Sequence, residues 1–181
     1  MKRDPLLRLL LAYSPSAAEE LACKQEMLDF LQKEKNCFER SLKTGHFTAS
    51  SWLINKANTK VLLMHHAKLD IWCQLGGHCD GETNVLSVAL KEAKEESGIQ
   101  TILPLSKDIY DIDIHLIPAN HKDEAHKHYD IRFLLQTTGD EEVVANHESK
   151  ALVWFDKGEK NLPTKERSIL RMHEKWLKNH Y

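Results

Sequence analysis

Three carboxylates in one short run, Glu92, Glu95 and Glu96, are the residues of this sequence best placed to do chemistry. If the run is helical, at about 100° per residue, spacings of three and four put all of them on one face. Like charges at i, i+4 repel, and anions near a helix C-terminus oppose the macrodipole. A cation between the carboxylates relieves both penalties. Hard oxygen donors suit Mg²⁺ or Mn²⁺, which keep several waters and bind substrate phosphates as well. The plainer alternative is a solvated acidic helix face.

A helix must present these groups, and the surrounding residues provide for one. Gly76-Gly77 and a short acidic loop lead into an amphipathic stretch that stops at Ser97-Gly98. Leu86, Ala89, Leu90 and Ala93 form its expected core stripe. The glutamates fall roughly 120° from that stripe, on its flank.

The whole stretch, GGHCDGETNVLSVALKEAKEESGI, resembles the Nudix box, G-x5-E-x7-R-E-U-x-E-E-x-G-U, where U is aliphatic. Gly77 matches the leading glycine, and residues 91–99 match the second half, with Lys91 in place of the arginine. The box's first glutamate falls on Thr83, with Glu82 one position early. The run before the box, Trp72-Cys73-Gln74-Leu75, is similar to the family's W-x-L-P-G-G lead-in without its proline. Residues 45–50 resemble the opening strand of a bacterial subgroup of about this length that carries an N-terminal helical extension.

The resemblance implies an α/β fold, the Nudix α/β/α sandwich with a mixed sheet, plus N-terminal helices. It divides the chain into a helical extension, residues 1–44, and a hydrolase domain, residues 45–181. It further implies hydrolysis of a nucleoside diphosphate linked to another moiety, by metal-assisted water attack on phosphorus. Carried over by position, Glu92, Glu95 and Glu96 hold Mg²⁺ or Mn²⁺, helped by the backbone carbonyl of Gly76 or Gly77. Lys91 holds the loop against the helix, and Glu82 pairs with Lys91 or hydrogen-bonds a ligand carboxylate. Glu95 and Glu96 make up the catalytic pair, Glu96 is the first choice for the base, and Glu148, just before the apolar run ALVWFD, is the second. Two other uses of the fold compete. An isopentenyl-diphosphate-isomerase-like enzyme needs a catalytic cysteine, which the surroundings of Cys73 and Cys79 do not present convincingly. A non-catalytic nucleotide sensor usually loses box carboxylates, and the three on the helix are intact.

The polar connection over residues 118–128 is dense in histidine. His126 and His128 alternate toward one face if a strand already runs there. They bind substrate phosphate or take a transition metal through imidazole, unless they merely line a polar strand edge. His115 and His121 belong to the same weighing.

Composition narrows the field further. A chain of 181 residues, 41% hydrophobic and 29% charged, suits one globular domain with a sizeable core. A net charge of -2 offers no electrostatic case for polymeric nucleic acid. The four cysteines show no C-x-x-C pairing and read as free thiols of a cytoplasmic protein. Arg8 interrupts the apolar run near the N-terminus, and no run approaches the roughly 20 residues of a membrane span.

Taken in order, residues 5–12 and 17 to about 36 read as helices, with Ser16 as the cap of the second and Leu21, Met27 or Leu28, and Leu31 as its stripe. A cover on the following domain is the preferred reading for them; a homodimer contact and a substrate lid are the alternatives. Residues 47–54, 61–66, 109–117, 129–136 and 151–156 read as strands. A closing helix runs to about residue 178, burying Ile169, Leu170, Met172, Trp176 and Leu177.

Overall fold

The computed structural model describes residues 3–119 and 124–179. Four helices, α1 (Asp4–Ala12), α2 (Ala18–Lys33), α3 (Val85–Ser97) and α4 (Arg167–Lys178), flank a mixed sheet. Its strands are β1 (Gly45–Ile54), β2 (Lys60–His66), β3 (Trp72–Cys73), β4 (Leu75–His78), β5 (Ile102–Pro104), β6 (Asp111–Ile117), β7 (His126–Thr137) and β8 (Ser149–Asp156). The order runs β3-β2-β1-β7-β5, with β4 on β1, β6 on β7 and β8 on β2. This is the expected α/β/α sandwich, and its N-terminal helices are present.

β1 is the axis of the sheet. All ten of its residues are buried, and each has a parallel Cα partner in β7, from Gly45↔Lys127 to Ile54↔Gln136. Alternation sends Phe47, Ala49 and Leu53 into the core shared with α1, α2 and α3. Trp52 and Ile54 face the other way, onto Ile169, Met172 and Trp176 of α4. β5 follows α3 too closely, and is too short, to register in the sequence pattern.

The N-terminal helices share the main core. Leu6, Leu10 and Met27 are fully buried in it, and Phe30 stacks on Tyr129 with ring centroids 4.0 Å apart. The expected stripe of α2 is corrected at Leu21, which is exposed; Phe30 does the packing. Ser16 is not the cap either. The helix starts one residue later, and Glu20 reaches back to accept hydrogen bonds from the Ser16 and Ala17 N–H groups and the Ser16 hydroxyl. In α4, Leu177 is largely exposed, whereas Arg171 and His173 are buried beside Ile169, Met172 and Trp176.

Arg171 is buried because a charged network fastens α4 to α2 and β6. Asp111, with no exposure, accepts from Arg171 Nη2 at 2.7 Å, Lys175 Nζ at 2.7 Å and Arg132 Nη1 at 3.3 Å. Lys175 also donates to Glu20, as does the Tyr13 hydroxyl. Burial pushes the Glu20 carboxyl up, but the hydrogen bonds from Lys175, Tyr13 and Ser16 outweigh it and hold it at about 2. The four cysteines are free. No helix among the described residues is long and apolar enough to cross a membrane.

Candidate active site

β4, the loop behind it and α3 assemble the carboxylates. Leu75 and Gly77 point to the α3 side of the sheet, and Glu92 lies against Gly77 so closely that a Cβ there would stand 2.5 Å from Glu92 Oε2. The next turn of the helix brings Glu96 over Gly76, whose N–H donates to Glu96 Oε2 at 2.8 Å. Gly98, left-handed at φ 78°, ends the helix with its N–H on the Lys94 carbonyl.

The buried stripe of α3 is Val85, Val88, Ala89, Ala93 and Glu96, with Leu86 and Leu90 only partly covered. The expected stripe is therefore turned by about one residue, and the glutamates are not equivalent. Glu96 is 3% exposed, the Glu92 side chain 15%, and the Glu95 side chain 58%. Burial, reinforced by Glu92, Glu148 and Glu95, outweighs the Gly76 N–H and pushes the Glu96 carboxyl up to about 8. Burial also raises Glu92, against the pull of Lys91. Glu148, at the approach to β8, is exposed and close enough to push both upward. Its loop is tied to the helix by Asn146, whose Nδ2 lies 3.5 Å from the Glu95 carbonyl.

Two expectations about the loop are corrected. Lys91 pairs with Glu92 at 3.2 Å and Glu95 at 3.4 Å along its own helix and does not brace the loop. That task falls to the segment before β1. Arg40 forks onto Asp80, and the Phe38 carbonyl accepts the N–H of Gly81. Glu82 reaches neither Lys91 nor a glutamate; its Oε1 accepts the Asn84 N–H at 2.8 Å. The tight turn through Asp80 and Gly81, both at positive φ, aims it outward. The helix is capped by Asn84, whose Oδ1 accepts the Ser87 N–H at 3.2 Å. Asn84→Ala is therefore expected to cost about 1 kcal/mol in urea denaturation. Glu82→Gln and Thr83→Val should leave turnover within about twofold of wild type, since Glu82 makes one exposed turn contact.

A NUDIX domain model matches residues 45–176, on which all of these carboxylates lie. The chain belongs to the Nudix family. Its fold is similar to that of a Nudix-family hydrolase from Clostridium perfringens, at 27% identity and TM-score 0.52, covering 72% of this chain and 95% of that one. It is also similar to the C. elegans Ap4A hydrolase in a binary complex, at 18% identity and TM-score 0.57, over 72% of this chain and 93% of that one. The E. coli dihydroneopterin triphosphate pyrophosphohydrolase matches at 16% identity and TM-score 0.53, over 74% and 96%. The last two attest the fold alone. No curated protein matches the chain in sequence.

In this Nudix chain His126 and His128 lie in β7, and His128 sits among the rings of His46, His78, His115 and His126. Sequence reasoning missed His46 and His78, since nothing local marks either. His121 lies outside the described residues. Of the two cysteines weighed for the isomerase alternative, Cys73 is half-buried and Cys79 buried, and burial raises both thiols.

Proposed function

We propose that the chain hydrolyses the diphosphate linkage of a small cytoplasmic nucleoside diphosphate derivative, by water attack on phosphorus, as a Mg²⁺- or Mn²⁺-dependent pyrophosphohydrolase. The observation that carries this reading is Glu96: a carboxylate 3% exposed, surrounded by Glu92, Glu95 and Glu148, each of which raises its pKa. Such an arrangement is stable as anions only around a cation, and hard oxygen donors fit Mg²⁺ or Mn²⁺. Glu92, Glu95, Glu96 and the Gly77 carbonyl would hold it. When bound, the cation supplies charge neutralisation and Lewis acidity toward the diphosphate.

The chain's own residues do the rest. The Gly76 N–H fixes one oxygen of Glu96, and the absence of a side chain at Gly77 leaves room for Glu92. Lys91 steadies Glu92 and Glu95 from the solvent side. Glu96 is the base that takes the proton of the attacking water, with Glu148 as the second candidate. Residues 45–181 carry the chemistry, and residues 1–44 cover the core.

Release of phosphate products from nucleotide sugars, dinucleoside polyphosphates and nucleoside triphosphates tests the proposal. At least one class should be cleaved with Mg²⁺ or Mn²⁺ and none in excess EDTA. Binding without cleavage across the panel would instead make the chain a sensor, and undiminished cleavage in EDTA would exclude the metal mechanism.

A further inference from the structure

We infer that His46, His78 and His128 form a binding site for a divalent transition cation of the Zn²⁺ class, across the sheet from the carboxylates. The register of three strands brings them together. His46 and His128 are Cα partners in the parallel pair β1–β7, and Thr48 and His78 are partners in the antiparallel pair β1–β4. Strand residues two apart share a face, so all three histidines project to the same side. Gly77 faces Glu92 and α3, and His78, next along β4, therefore faces away from them.

The rings are gathered closely. His46 lies 5.0 Å from His78 and 4.8 Å from His128, and His78 lies 5.0 Å from His128, between centroids. One ring nitrogen from each lies within 4.8 Å of the others. Tetrahedral Zn²⁺ with Zn–N of about 2.0–2.1 Å needs ligand nitrogens about 3.3 Å apart, a closure that side-chain rotation covers.

The second observation is the state of these nitrogens. His46 is 1% exposed, and neither of its ring nitrogens has a hydrogen-bond partner among the described residues; the buried Nε2 of His128 has none there either. The Leu42 carbonyl is near enough to His46 to favour its charged form, but outside hydrogen-bond geometry. Buried polar nitrogens without partners are uncommon because they give up water and gain nothing. A cation is the partner they lack. Burial among other histidines also disfavours charge on His46 and His128, which suits the neutral imidazole that a metal takes. A phosphate site would want the opposite, a charged ring.

Two outer histidines, His126 and His115, complete the surroundings, the second with its ring 5.4 Å from His128. His126 Nδ1 lies 2.8 Å from the Glu124 carbonyl, which can only accept, so its Nε2 keeps the lone pair. Its ring is 5.1 Å from His46 and 5.2 Å from His128, and it is the candidate fourth ligand. Imidazole donors select Zn²⁺, Co²⁺ or Ni²⁺, whereas the glutamates select a hard cation. The two sites are chemically distinct, and this one stands whether or not the hydrolase reading does.

The test uses the untagged chain, stripped of metal and then titrated with Co²⁺ and, by competition with a chromophoric chelator, with Zn²⁺. One equivalent should bind, Co²⁺ should give the intense visible bands of a tetrahedral site, and X-ray absorption of the Zn²⁺ form should show three or four imidazole nitrogens. His78→Gln and His128→Gln, at positions less buried than His46, should each weaken Zn²⁺ by more than the roughly 10–100-fold that loss of an outer partner costs. Glu92→Gln should leave the affinity for Zn²⁺ as it was. No bound equivalent in the wild-type chain overturns the inference, as does an oxygen-rich coordination shell or equal affinity in both histidine variants.

Discussion

Glu96→Gln is expected to abolish turnover, by about 10²–10⁴-fold in kcat, while the chain stays folded. The substitution keeps the shape of a residue that is 3% exposed, and the amide oxygen can still accept the Gly76 N–H. What it removes is the anion. Glu95→Gln should lower activity chiefly by weakening Mg²⁺, since Glu95 is exposed and pairs with Lys91 on the helix surface. Glu148→Gln separates the two candidate bases: if Glu148 takes the proton, its kcat falls as far as that of Glu96→Gln with metal affinity unchanged. Wild-type kcat in Glu96→Gln would sink the assignment. Stability offers an independent readout in the metal-free chain. The unfolded chain releases the Glu96 proton near pH 4.5, the folded chain near 8. Stability should therefore fall as pH rises between those values and level off above them. Glu96→Gln should remove that part of the slope, and Mg²⁺ should offset it by about 2.7 kcal/mol at a hundred times its Kd.

The largest effect on stability is expected at Asp111. Asp111→Ala deletes the acceptor shared by Arg132, Arg171 and Lys175, leaving cations that the fold has already taken out of water. Removing one partner from a buried ionic cluster typically costs about 3–5 kcal/mol. For a chain of 150–250 residues, at about 2–4 °C per kcal/mol, Tm should drop by roughly 6–20 °C. A loss below about 1 kcal/mol would mean that Asp130, Asp113 and Glu20 suffice to hold the three cations.

The carboxylate helix was legible because its spacing is local: the helical period alone puts Glu92, Glu95 and Glu96 on one side. Which of the three is buried was not. A glutamate is ordinarily placed in solvent, and only the seating of Val85, Val88 and Ala93 on β1 and β4 turns Glu96 inward. The glycine pair was readable as the start of the box, but what each glycine makes room for, Glu92 of α3 at Gly77 and Ser50 of β1 at Gly76, comes from tertiary packing. Arg40 as the brace of the loop lies 40 positions from Asp80, and the histidine group joins β1 to β7 across 82 positions (128 − 46). No window on the sequence spans such distances. Strand β7 also begins three residues before its expected start, at His126, because its parallel partner β1 is already paired from Gly45.

The parallel pairing of β1 with β7 has a consequence for the birth of the chain. β4 and β2 can cover one edge of β1 soon after it emerges, but the other edge waits for Thr137. Residues 55–137 must first be synthesised, which at about 5–20 residues per second takes roughly 4–17 s. During that interval a ten-residue strand destined for complete burial presents an open edge, the template for pairing with a second nascent chain. Two of its outer positions, Gly45 and His46, break the apolar run at that edge, and its middle carries Thr48, Ser50 and Ser51 in place of aliphatic side chains. The central strand of the sheet thus carries polar side chains into the core, a composition that keeps it soluble while it waits.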